Sequence, residues 1–515
     1  MRRYLLLFIL ILNFVIIDQP LAQQIQTLTY EDAINIALKK SYTVKSYLQN
    51  KIAMQQYFNY SKAEFKPRLD FNIFTPSWSE GVELVRQIND LPAYISVGEM
   101  QFGGNLQFIY TLPTGGNLAL SSLLLRNNVK TVSSSTEFGY VQQRDRKAYS
   151  SLNLSFNQPV FTKNTLKENL NEARYLFEQS SSRFTRGQMN IIYSVTRGFY
   201  MLYRATREVE IAREKLKNSE EAYRIAKLKG ETGRIPEGDV LIAEVAAAQN
   251  KANLSESIGN LEREKDQFKQ LIGLNLDKEI QIITSLRYDT FNIDLDKAIE
   301  EALKNRLEIY ESELDLKLQE IEVDRANRVR ELKGNISAYY NLTGISPPKI
   351  GGTTRELFEY SFDDFVDRPP NRGITFSLSY PIFDWGRGSA REQQEQAKLR
   401  ETELSYEDTK VTVIREVRDV VRSVEEAKNR LQINEKNQEV AQRSYEISRM
   451  RFENGDITSQ ELGVEQERLA TTQLNYLDAF ITYQLAVADL KRKTMWDFQN
   501  DRSYLKEDYL VDSEK

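Results

Sequence analysis

The sequence predicts a mostly α-helical fold with membrane β-strands, organised as an internal two-fold repeat. Three observations carry this. A heptad seam runs for more than sixty residues without proline, six segments alternate apolar and small polar residues, and three landmarks of the first half recur in order in the second.

The first element is a targeting segment. Arg2 and Arg3 precede an apolar run from Tyr4 to Ile17, and Leu21-Ala22 offers a small residue at a cut, so residues 1–22 read as a signal peptide. Pro20 is atypical before such a cut, and the run is short for a spanning anchor. No later stretch reaches the roughly 18–20 apolar residues of a transmembrane helix. Alternating strands escape that test, because they leave little hydropathy signal.

The repeat sets the organisation. Gln158-Pro-Val-Phe161 matches Tyr380-Pro-Ile-Phe383, and Tyr223 to Gly233 matches Tyr445 to Gly455, both at an offset of 222 residues. Tyr30-Glu-Asp-Ala33 matches Leu295-Asp-Lys-Ala298 at 265, so the first half carries 43 extra residues before Pro159. The first repeat is placed at 23–290, with barrel strands in 67–160 and a tip turn at 230–238. The second is placed at 291–497, with strands in 333–383 and a tip turn at 454–460. Residues 498–515 form a polar tail to which no role is assigned.

Helices are expected over 29–66, 163–229 and 237–274, and again over 296–331, 387–454 and 459–495. Apolar or small residues at 170, 173, 177, 180 and 184, then 191, 195, 198, 202 and 205, trace one seam. At 1.5 Å per residue such a helix reaches ~100 Å, too long for a compact domain and suited to a stalk or a tube. Many seam residues are small, including Ala173, Ser180, Gly198, Ala205, Ala212 and Ser219. Small seams allow close approach but bury little area, so a ring of helices with two neighbours each is the better use of them. The helices alone fit an ordinary coiled coil equally well.

The strands discriminate. Leu69, Phe71 and Ile73 start one; Phe102, Leu106, Phe108 and Tyr110 mark a second, and Leu118, Leu120 and Leu124 a third. Leu152, Leu154 and Phe156 mark a fourth, Ile336, Ala338, Tyr340 and Leu342 a fifth, and Ile374, Phe376 and Leu378 a sixth. Between them stand small uncharged residues, the pattern of strands with lipid on one side and a wet lumen on the other. Pro113-Thr-Gly-Gly116 is a short turn, whereas 77–98, 127–147 and 343–371 are expected to be long loops. Four to six strands cannot close a barrel, for which about eight are needed, and open edges are intolerable in lipid. Several copies must therefore share one barrel.

With neither Cys nor His, the chain has no disulfide framework, thiol nucleophile, Ser-His-Asp triad or ordinary zinc site. No enzyme activity, cofactor or metal is expected, and a net charge of −5 does not invite nucleic acid.

From Thr29 to about Trp496 the chain resembles the TolC-type outer-membrane factors, the outer membrane efflux protein family. The carriers are the two Pro-hydrophobic-Phe strand ends followed by long helices, and the paired tips Gly233-Arg-Ile-Pro-Glu-Gly-Asp239 and Gly455-Asp-Ile-Thr-Ser-Gln-Glu461. The resemblance implies a homotrimer with one shared β-barrel in outer-membrane lipid and a periplasmic α-barrel of long antiparallel helices. It implies docking to a periplasmic adaptor and an inner-membrane transporter, in efflux or type I secretion. It places Gly233, Arg234, Gly455 and Asp456 at the tip gripped by the adaptor, and Asp239 and Glu461 at the channel constriction. A carboxylate ring there would favour cations, while the plain alternative is a first-turn acid favoured by the helix dipole. Arg234 and Arg451 are candidate partners of these acids.

Two departures stand out. A second acid of the family pattern is replaced by Ile242 and Val464. Six strands are readable where the family contributes four, so either a trimer has eighteen strands or 99–126 is an extracellular embellishment. A different class of function, a trimeric coiled-coil surface protein or adhesin with a β-barrel anchor, is the alternative.

Overall fold

The computed structural model describes residues 26–85, 93–135, 139–283, 288–348 and 352–504. The segment read as a signal peptide and residues 505–515 lie outside the described residues. In chain order the elements begin β1 (Gln26–Leu28), α1 (Tyr30–Lys40), α2 (Tyr42–Ala63), β2 (Arg68–Val85), β3 (Ala93–Thr111), β4 (Asn117–Ser135) and β5 (Gly139–Val160). They continue with α3 (Thr165–Glu231), α4 (Glu237–Ile272), β6 (Ile280–Ile282), α5 (Leu295–Asn305), α6 (Leu307–Asn327) and β7 (Lys333–Ile345). The last are α7 (Thr354–Asp367), β8 (Asn371–Ser379), α8 (Arg387–Asn454), α9 (Ser459–Thr494), β9 (Trp496–Asp497) and β10 (Arg502–Ser503).

The long helices α3 and α8 have 67 and 68 residues, and each is followed by a helix of 36, α4 and α9. Two helices expected as single pieces are broken. Ser41 takes φ −56° and ψ 133°, ending α1 with its N–H on Ala37 O, and Arg306 ends α5 in the same way on Ala302 O. Neither break carries Gly or Pro, so the helical period reads straight through both.

The chain divides into two compact units. Among the described residues, the first comprises those up to Ile52, Gln179–Glu313 and those from Glu403; the second comprises those within Ala53–Glu178 and Leu314–Thr402. The first unit is helical, with three cores. In one, Phe199, Phe268 and Ile272 pack with Leu28, Ala33, Ala37 and Val195. There β1 pairs in parallel with β6, outside every span where a helix or strand is expected. In another, Val413, Val417, Val420, Val424 and Leu431 of α8 face Leu477, Phe480, Ile481, Val487 and Leu490 of α9, with Ala298 and Ala302. Each large side chain removed from water there is worth roughly 1.5–3 kcal/mol. The polar tail starts by folding back: β9 pairs with β10, and buried Asp497 takes Lys491 Nζ at 3.2 Å.

The second unit holds one antiparallel sheet in the order β2-β3-β4-β5-β7-β8. Register aligns one apolar face across all six strands. Phe71 pairs with Leu106, Phe108 with Leu120, Leu120 with Leu154, Leu154 with Tyr340, and Ala338 with Ile374. The opposite face carries Asn72, Asn105, Ser121, Asn153, Asn341 and Ser377 (directly opposed residues share a face). Leu69, Phe71, Ile73, Ile374, Phe376 and Leu378 are all more than half exposed.

Strand β2 keeps its apolar face only through a bulge. Register shifts between Phe74 and Ser77, so that Thr75 and Pro76 together oppose Phe102. The extra residue reverses parity, and odd-numbered Leu69, Phe71 and Ile73 share a face with even-numbered Trp78, Val82 and Leu84. Proline is tolerated there because a bulge on an edge strand leaves no ladder bond for it to break.

The expected long loops are shorter. Most of 77–98 and 127–147 belongs to β2 through β5, because backbone pairing persists where apolar alternation fades into Asn127, Asn128, Gln143 and Asp145. The segment 343–371 contains α7. A capping box joins Thr353 and Glu356, and Leu357 and Ser361 are buried against β5 and β7. The Ser361 hydroxyl donates to Gly344 O at 3.0 Å and lies 2.8 Å from Ser150 Oγ.

Candidate functional site

Two features of the chain have functional geometry, one in each unit. In the helical unit it is the pair of tips. The helix α3 ends in a Schellman motif, with Gly233 at φ +68°, its N–H on Gly230 O and the Arg234 N–H on Lys229 O. The end of α8 repeats it: Gly455 has φ +89°, its N–H bonds Phe452 O, and the Asp456 N–H bonds Arg451 O. The first tip meets the second through Lys229, whose Nζ stands 5.0 Å from the centre of the Phe452 ring and donates to Phe452 O at 3.4 Å. Beneath them Tyr445, Phe452 and Leu462 pack with Ala222, Ile225 and Ile457. A cavity of about 400 Å³ between the tips is lined by Arg234, Asp239, Gly455, Asp456 and Glu461 among others. All six residues expected at the constriction and the tip therefore fall in one place, five of them on this cavity.

Asp239 and Glu461 occupy the same position, the third residue of α4 and α9, yet their carboxylates are used differently. Glu461 forms a capping box with Thr458. It accepts from the Thr458 N–H at 2.8 Å and hydroxyl at 3.0 Å, and its own N–H donates to Thr458 Oγ1 at 3.2 Å. These bonds, backbone first, with help from the Arg451 charge, hold its carboxyl below the usual glutamate range. In the first repeat Pro236 stands at the cap and offers no side-chain hydrogen bond. Among the described residues the Asp239 carboxylate has neither a hydrogen bond nor an ion pair. The expected pairing with Arg234 and Arg451 is not formed as a contact; Arg451 acts on Glu461 only through space. Thr458 is not among the site residues expected from the sequence, although Thr-x-x-Glu before an apolar run is the signature of such a cap.

In the other unit the feature is the sheet. Its apolar face is exposed, and β2 and β8 stand at the two ends of the strand order, each hydrogen-bonded to one neighbour among the described residues. Among the described helices none is long and apolar enough to cross a membrane, which says nothing of the strands. Among the described residues no three His, Cys, Asp or Glu side chains gather as a metal site.

Paired helical hairpins in one unit and a six-stranded sheet with one apolar face in the other are the make-up of an outer-membrane channel subunit. The family model described as "Outer membrane efflux protein" matches residues 122–274 and 298–494, more than half of the chain, and the chain belongs to that family. Among curated proteins none matches. Solved structures share the fold. The Campylobacter jejuni CmeC outer membrane channel is 15% identical with a TM-score of 0.66, over 90% of this chain and 85% of that one. The Vibrio cholerae outer membrane protein VceC is 15% identical with a TM-score of 0.63, over 90% and 95%. The open state of the Neisseria gonorrhoeae MtrE outer membrane channel is 14% identical with a TM-score of 0.62, over 90% and 88%. The family consists of outer-membrane channels rather than enzymes, and it does not favour the adhesin alternative.

Proposed function

We propose that three copies of this chain form a passive conduit through the outer membrane, each lending six strands to one closed β-barrel. The observation that carries this is the register: one apolar face runs unbroken from β2 to β8, with a polar face behind it and an open edge at each end. Unpaired edge groups cost several kcal/mol each in lipid, so the edges demand partners, and identical copies supply them in closed form. The hairpin β3–β4 lies between β2 and β5 at the level of the apolar band, which favours eighteen strands over a smaller barrel with an embellishment. Barrels of that size leave an aqueous channel.

In this reading the long helices line the conduit on the periplasmic side, and Gly233, Arg234, Gly455 and Asp456 form the end that a periplasmic adaptor and inner-membrane transporter engage. Asp239 is the principal constriction charge, because its carboxylate is uncommitted, and Glu461 contributes beside its capping role. Three copies would set a ring of carboxylates favouring cations.

The test is conductance of the purified protein in planar bilayers, with its mass measured in detergent. A trimer giving cation-selective channels, with conductance raised by Asp239→Ala, is expected. A folded monomer stable in water without detergent would end the proposal.

A further inference from the structure

The lipid-facing side of the sheet does not stay apolar along its whole length. Two residues past Leu124, β4 presents Arg126, Asn128 and Lys130, and β5 brings Arg144 and Arg146 alongside. Register sets Arg126 opposite Ala148, Asn128 opposite Arg146 and Lys130 opposite Arg144. Opposed residues share a face, as do residues two apart, so the four cations stand on the face that carries Leu118, Leu120, Leu124, Leu152 and Leu154. At ~3.3 Å per residue, Arg126 lies ~7 Å and Lys130 ~20 Å beyond Leu124 along the strand.

Among the described residues none of the four has an ion pair. Arg126 donates to Asn128 Oδ1 at 3.2 Å and to Thr354 Oγ1, and its guanidinium stands 5.3 Å from the centre of the Phe102 ring. The nearby acids are turned elsewhere. Glu80, on the same face, accepts from Ser96 Oγ at 3.3 Å, and Glu356 closes the cap of its own helix. Asp145 and Glu99 belong to the opposite face, where they accept from Gln143 and from Gln101 and Asn127. Four like charges on two paired strands repel one another, and among the described residues no acid forms an ion pair that relieves them.

We infer that Arg126, Lys130, Arg144 and Arg146 form a site for the phosphate headgroups of anionic lipids in the outer leaflet. This rests on the reading of the apolar face as lipid-facing. Guanidinium and ammonium groups bind phosphate through charge-assisted hydrogen bonds, and long basic side chains reach the headgroup level from the edge of an apolar band. On β5 the helix α7 covers Ala148 and Ser150, but on β4 the apolar face continues beneath the cations through Leu124 and Leu120 and receives the acyl chains, and that continuity commits the site to a lipid rather than a free anion.

The full-length protein in neutral detergent is titrated with phosphatidylglycerol or phosphatidylcholine of matched chains, and bound lipid is counted by native mass spectrometry. A preference for phosphatidylglycerol of at least about tenfold is expected. Arg144→Gln with Arg146→Gln should bring it near parity, while Arg144→Lys with Arg146→Lys keeps most of it and controls for folding. Equal retention of both lipids, or a preference unchanged in the Gln pair, overturns the site. Full displacement by millimolar inorganic phosphate overturns the lipid assignment and leaves a bare anion site. A detergent-dependent trimer without lipid preference sinks this inference alone, whereas a water-soluble monomer sinks the barrel reading on which it stands.

Discussion

The hydroxyl of Ser361 on α7 donates to the carbonyl of Gly344 on β7 at 3.0 Å, and the two backbones meet so closely that residue 344 has no room for a Cβ. Asp364 adds a second clasp by accepting from the Ile345 N–H at 2.7 Å. A short helix is thereby held flat on the face of the sheet, just past its apolar band. Gly344→Val should force α7 from the sheet at a cost of about 1–3 kcal/mol, the usual range for overpacking. Faster tryptic cleavage at Arg355 and Arg368 in the folded protein is the expected readout, and a cleavage pattern like that of the parent would refute the clasp.

The bulge in β2 makes a sharper prediction. Deleting Pro76 removes the residue that reverses parity, so either Leu69, Phe71 and Ile73 or Trp78, Val82 and Leu84 must turn to the polar face. The deletion variant should be lost from the outer-membrane fraction. Pro76→Ala keeps the count and should insert normally.

At the second tip, Thr458→Ala removes the cap of α9 and should cost about 1 kcal/mol, read as faster amide exchange in its first turn. The first turn of α4, capped by Pro236 without a side-chain bond, should not respond to Asp239→Asn.

The same cap predicts a pH dependence. The Glu461 carboxyl is held below its usual range in the folded state by the Thr458 N–H and hydroxyl. A lowered folded value means that the stabilisation is full above the unfolded value, about 4.3, and is lost as pH falls through the folded one. Protection factors in the first turn of α9 should therefore hold at pH 4.3 and fall below it. Glu461→Gln should show no such fall.

Gly233 and Gly455 each take a left-handed conformation with open space where a Cβ would stand. Alanine at either position should cost about 1 kcal/mol from backbone strain alone. Loosened tips, seen as local exchange near residues 229–236 or 451–458 with core helices unaffected, are the expected outcome.

Much of this was legible in the residues because helices and strands write their periods into the chain. The bounds of α8 are those expected, and α9 differs by one residue at its end. Six alternating segments correspond to six strands of one sheet. Most of what failed had no local signal. Ser41 and Arg306 break helices without Gly or Pro, and the β1–β6 pair joins segments some 250 residues apart. The outer ends of β3 to β5 pair through backbone groups where the apolar alternation has faded. The helix α7 does have a signal, Thr353-x-x-Glu356 ahead of Leu357 and Ser361, inside a segment expected to be a long loop.

The tips show the same division. Sequence alone determined that Gly233 and Gly455 end long helices and that Asp239 and Glu461 follow each by six residues, because an offset survives as spacing. The cap that spends Glu461 is also written locally, as Thr458-x-x-Glu461 against Pro236 in the first repeat; only the tertiary structure decided that the two tips meet, with Lys229 against Phe452 and both acids on one cavity. The bulge at Thr75–Pro76 and the basic row from Arg126 to Arg146 were likewise fixed by strand register. Register is a relation between distant segments, set by which backbones exchange hydrogen bonds, and no single stretch of residues contains it.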